Sequence, residues 1–154
     1  MAEEINSSAM LSPTGFRLTI NSEEFKGLEY FCIAAELPSI TLESIEASFR
    51  NGRTPIPGDT ISYQPLPVTF LVDDKLRNYI ELFNWIYNNA HSNELIWRDM
   101  TLSILTNRNT TNKQVLFHNV IPSSLTGLEF NTQITDLEYL TCSVEFAYQS
   151  FEIV

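Results

Sequence analysis

A last strand is predicted from Leu137 to about Phe151, and its centre alternates strictly. Leu140, Cys142, Val144, Phe146 and Tyr148 fall on even positions, with Thr141, Ser143, Glu145, Ala147 and Gln149 between them. A period of two is the signature of a strand with one buried and one wetted face, and no helix accommodates it. A run this long needs partner strands to satisfy its backbone, so it commits the chain to a sheet with a covered face. The same alternation marks Phe16, Leu18 and Ile20 near the start.

Further strands are predicted at Tyr30–Ala35, at Ile40 to about Ala47 and at Ile61–Val72. Met100–Thr106 and Lys113–Val120 form a hairpin through Asn107–Asn112. Glu23–Gly27 is predicted as a charged turn, and the segment around Pro122–Gly127 as turn-rich. Asn51-Gly52, Pro55, Pro57 and Gly58 are breaker signals, so residues 47–59 are predicted as a long connection between strands. Connections of that length often carry function. The single helix is predicted over about Lys75–Asn89. Leu76, Tyr79, Ile80, Phe83, Ile86 and Tyr87 give it one apolar stripe to lay on a sheet. Asp73 or Asp74 caps its start, and Asn88-Asn89 ends it. The fold class is therefore mainly β: an antiparallel β-sandwich or open barrel with one docked helix. Residues 1–154 form one domain, in which residues 1–12 are a polar, flexible arm.

Chemistry is hard to assemble from these residues. His91 and His118 lie in no metal-binding spacing, and Cys32 and Cys142 are isolated in apolar runs as packed thiols. There is no phosphate-binding loop and no nucleophile elbow. Asp73-Asp74 is explained by helix capping. The expectation is no enzyme, no catalytic residue, no metal and no cofactor. The start, MAEEINSSAM, lacks the basic and apolar regions of a secretory signal, and no segment has the ~20 apolar residues of a membrane span. Nineteen acidic residues against nine basic ones give −10, which disfavours a duplex-DNA binder held by phosphate contacts.

What remains is assembly, and the stretch from Phe31 to Asp74 resembles the tail tube proteins of contractile-tailed, T-even type bacteriophages. The resemblance is carried by an ordered set. An aromatic-Cys strand runs into Leu37-Pro38; then come Arg53 with Thr-Pro-Ile-Pro, Gly58-Asp59, Tyr63, Val68, Phe70 and Asp73. The helix bearing Phe83 and Trp85 also falls where the family has one. It covers about residues 14–90, half the chain.

That resemblance implies a virion structural protein assembled in the host cytoplasm. It would form homo-hexameric rings that stack into the inner tail tube, through which DNA passes without specific binding. Partners would be further copies, the tail sheath and baseplate or hub proteins, with no membrane involved. On this basis Arg50, Asn51, Arg53 and Asp59 are candidate contacts between rings, and Ser143, Glu145 and Gln149 are candidates for the lumen. The family also includes baseplate tube-initiator rings; these, or a tube-end ring, are the alternative. A different class stays open, a soluble β-sandwich binding module, which predicts a ligand pocket or apolar patch and no ring formation.

Overall fold

The computed structural model describes residues 11–21, 29, 31–136 and 138–154. Most of the expected N-terminal arm and the whole charged turn at Glu23–Gly27 lie outside them. The elements in order are β1 (Phe16–Ile20), β2 (Cys32–Ala35), β3 (Ile40–Phe49), β4 (Gly52–Tyr63), β5 (Leu66–Leu71), α1 (Arg77–His91), β6 (Arg98–Leu105), β7 (Thr111–Leu125), β8 (Thr141–Ala147) and β9 (Ser150–Ile153). Among the described residues the mainly β class with one long helix is as the sequence predicts.

Two antiparallel layers share one strand. The N-terminal half of β7 pairs with β6 and β9, and β1 adds to β6. Its C-terminal half pairs with β8, which continues to β5 and β2. Between the halves sits Asn119 with φ 53°, a left-handed conformation that Asn tolerates better than most residues. Its N–H donates to Asp99 Oδ1 at 3.1 Å and its side-chain amide to Gln149 Oε1 at 2.5 Å, so the corner's polar groups are satisfied. Both inner faces then meet. Leu18, Met100, Val115 and Phe117 from one layer pack in one cluster with Val68, Phe70, Val144 and Phe146 from the other.

The C-terminal run is not one strand. β8 ends at Ala147, and β9 returns to pair Phe117 with Phe151 and Val115 with Ile153. Tyr148 lies at the break, its hydroxyl donating to Gln64 O at 2.6 Å and its ring 5.0 Å from that of Phe117. The predicted strand Ile61–Val72 is likewise divided, at Gln64-Pro65.

The helix differs from expectation in start, end and face. Leu76, not an Asp, holds the N-cap, with φ 57° and no side-chain cap. Asp73 instead pairs with Arg77 at 3.1 Å. Hydrogen bonding with Asp74, and after it the Arg77 charge, draws the Asp73 carboxyl below its ordinary pKa. α1 continues through the two asparagines to His91, where Ser92 N–H closes on Asn88 O. The buried face is Asn78, Leu82 and Trp85, whereas Ile80, Phe83 and Tyr87 are about half exposed. Polar residues face inward because they have partners there. Asn78 donates to Leu71 O at 2.7 Å and accepts from the Asp73 and Tyr79 N–H groups. Trp85 Nε1 donates to Ile96 O at 2.8 Å, and Asn89 Oδ1 accepts from Ile96 N–H at 2.8 Å.

Asn78→Ala strands a carbonyl and two N–H groups in the protein, and should cost about 2–3 kcal/mol in urea unfolding. Asn88→Ala on the exposed face should stay within about 0.5 kcal/mol.

Candidate assembly surfaces

The segment predicted as a 47–59 connection is a β-hairpin. β3 and β4 pair from Ile40↔Tyr63 to Phe49↔Gly52, leaving Arg50 and Asn51 as the turn. The breakers are compatible with a strand for a positional reason. Pro55 and Pro57 are two residues apart, so their missing donors lie on one edge of β4, and in a two-stranded ribbon that edge has no partner strand to lose. At Gly58 a Cβ would come 2.5 Å from Glu43 O, so glycine is what lets the strands close at the irregularity between Leu42 and Ser44.

This hairpin has no core of its own. It forms a separate two-stranded sheet, and every residue of it is exposed except Ala47, Gly58 and Tyr63, which are half-buried. Ile45 is 66% exposed and Phe49 64%. The register sets Ile45 opposite Ile56 and Ala47 opposite Thr54, with Phe49 on the same face. Leu42 and Ile61 form a second apolar pair nearer the sandwich. A lone two-stranded ribbon is at best marginally stable in water, and a contiguous exposed apolar surface marks an interaction site.

Of the inter-ring candidates, Arg50 and Asn51 are the hairpin tip. Arg53 reaches Glu46 at 3.3 Å on its own hairpin, with both side chains mostly in solvent. That pair contributes little stability. Asp59 lies near the irregular base, with Thr60 Oγ1 3.4 Å from its carboxylate. The lumen candidates separate. Ser143 and Glu145 share the outer face of β8, with Ser143 Oγ 3.1 Å from Thr69 Oγ1. Gln149 lies beyond that strand and serves the Asn119 corner. The layer β2-β5-β8 with the end of β7 contains no Lys or Arg, and Glu145 is its one charged residue.

Three further surfaces escaped the sequence reading. The connection between β7 and β8 exposes Phe130 at 78%, Tyr139 at 82% and Ile134 at 56%, beside exposed Glu129, Asp136 and Glu138. On α1, Phe83, Tyr87 and His91 stack in sequence along the outer face, with centroids 6.1 and 4.2 Å apart. A concavity of about 800 Å³ by Glu94, Trp97, Arg98 and Asp99 opens broadly to solvent. Among the described residues no group of three or more His, Cys, Asp or Glu is placed to hold a metal ion, and no helix is long and apolar enough to cross a membrane. Cys142 is buried, and burial pushes the Cys32 thiol up to about 11, so neither is placed as a reactive thiolate.

These features give the chain exposed apolar and aromatic surfaces of the kind found at interfaces. No family model matches the sequence. It is 28% identical over 121 residues to the tail tube terminator protein of Enterobacteria phage T4, covering 72% of this chain and 68% of that one. Its fold matches the sheath/tube terminator of an extracellular contractile injection system, PVC, with TM-score 0.74 at 18% identity, covering 97% of this chain and 99% of the other. The tube-terminating cap of the anti-feeding prophage gives TM-score 0.70 at 18% identity, covering 99% and 95%. In sequence and in fold the chain is thus similar to tail tube-related proteins of contractile tails and injection systems, in line with the resemblance stated above.

Gly58→Ala should speed amide exchange across residues 40–63 by at least about tenfold while leaving that of β5–β8 within about twofold, since the hairpin shares no core with them. Cys32 and Cys142 should resist iodoacetamide at pH 8 in the folded protein and both alkylate in urea.

Proposed function

We propose that the protein is a tube-end subunit, a terminator whose copies form a ring closing the inner tube of a contractile tail or injection particle. The observation that carries this reading is the terminator likeness in sequence over most of the chain, joined by full-length fold likeness to two tube-ending proteins. It favours the tube-end alternative over a ring that stacks indefinitely. The neighbouring tube ring and the sheath are the partners this position supplies.

The physics of the surfaces supports it. The β3–β4 ribbon needs a covering surface, and a ring provides one from an adjacent copy or from the ring beneath. The layer carrying Ser143 and Glu145 lacks any basic residue and suits a bore that DNA crosses without holding. Six copies, the number expected from the family, would carry about −60 in total, which repels phosphate further.

Negative-stain electron microscopy with light-scattering mass tests the reading. The expected result is discrete rings of uniform mass that do not lengthen with concentration. Open tubes growing with concentration would sink the terminator reading in favour of an ordinary tube ring. If the Ser143 layer lines the bore, Glu145→Lys should leave ring mass unchanged and make the rings retain single-stranded DNA at low salt, with retention falling as salt rises.

A further inference from the structure

Two segments of this chain with exposed aromatic and charged side chains complement each other and leave opposite ends of one layer. The hairpin departs where β2 ends at Ala35 and β5 begins at Leu66, the end at which Leu66 pairs Phe146. The 126–140 connection enters β8 at the other end, where Leu71 pairs Thr141. β5 alone separates the two exits by roughly 17–20 Å, and ten residues of β3 carry the tip roughly 30 Å further. Within one molecule they thus leave the layer from opposite ends.

Their chemistry matches. The hairpin tip has Arg50 and Arg53 beside exposed Phe49, and Glu46 offsets only one of those charges. The 126–140 connection has Glu129, Asp136 and Glu138 with no Lys or Arg, and the whole chain after Lys113 has none either. Phe130 and Tyr139, the two most exposed aromatic rings of the described chain, stand among those carboxylates. A basic tip with an aromatic edge on one molecule thus matches in charge and shape of side chain an acidic segment with aromatic edges on another.

We infer that the β3–β4 tip of one copy docks on the 126–140 connection of a second copy of this chain. The inference rests on the ring reading above and names its contact. Arg50 and Arg53 meet Asp136 and Glu138, forked guanidinium against carboxylate, while Phe49 packs beside Tyr139 and Phe130. Because the two halves of the contact differ and lie at opposite ends, the association is head-to-tail: it closes into a ring when the rotation between copies returns on itself.

A charge-reversal cycle read by sedimentation equilibrium tests this. Arg50→Glu with Arg53→Glu, and separately Asp136→Lys with Glu138→Lys, should each weaken association by at least about tenfold. Combining all four should return it to within about threefold of the native protein. All these residues are exposed, so unchanged circular dichroism and melting would show that each variant folds. Rings whose two reversals simply multiply would overturn the contact and leave the terminator reading standing. Reciprocal rescue within ever-lengthening filaments would uphold the contact and remove the terminator reading. A native protein that stays monomeric at every concentration would overturn the contact outright.

Discussion

The fold depends on one strand serving two sheets. β7 is paired along its first half with β6 and β9 and along its second with β8, so both layers hang on the change of direction at Asn119. A left-handed residue in mid-strand needs its freed polar groups satisfied. Asp99 from β6 and Gln149 from the β8–β9 break meet that need. The break between the last two strands is thus part of the same device: it supplies a partner for the corner and returns β9 to the first layer. Phe117, Tyr148 and Phe151 seal the junction from inside.

Once the layers are closed this way, the core is complete without the hairpin. Strongly buried apolar residues come from β1, β5, β6, β7, β8 and α1, and none from β3 or β4. The chain therefore spends about one seventh of its length, 22 residues of 154, on a ribbon that adds no fully buried residue and meets the sandwich's aromatic cluster through Tyr63 at its base. Exposed apolar residues at single sites are ordinary, but paired ones along a ribbon are not. The same holds for the aromatic row on α1, which turns its uncharged side outward in a strongly acidic protein.

Much of this was legible in the sequence, and the failures share a cause. β1, β5 and the β6–β7 hairpin announce themselves because their apolar phase matches a covered face. β3 is legible over Ile40 to about Ala47, but the pairing of residues 47–59 is hidden because proline and glycine there read as breakers, although they break a strand only where a donor or a Cβ is required. α1 is legible, but its predicted stripe is only partly the inward face: Tyr79 packs on the core, whereas Ile80, Phe83 and Tyr87 are half exposed. Apolar residues surround most of it, so spacing alone could not rank Leu82 and Trp85 above Ile80 and Phe83. The inward asparagines were legible only once Leu71 O and the Ile96 backbone were known to need partners. The division after β8 did leave a trace: inward positions are even to Tyr148 and odd at Phe151, a phase slip at Gln149-Ser150. The assembly candidates at the tip survived the wrong secondary structure because Arg50 and Asn51 form a turn under either reading.

Charge is distributed along the same axis as the fold. All nine basic residues precede residue 114, and the layer made by β2, β5, β8 and the end of β7 has none. A protein can carry −10 evenly and gain only solubility from it. Here the charge is polarised: a basic tip projects from one end of that layer, and an acidic, aromatic connection leaves the other. Like copies arranged side by side in the same sense bring like ends together and repel, whereas a head-to-tail arrangement sets opposite ends in contact. Within each molecule the two segments leave opposite ends of β5, which sets the basic tip and the acidic connection at separate exits. An exposed apolar ribbon is tolerable on a subunit when the complementary surface exists only on another chain and the resulting association closes.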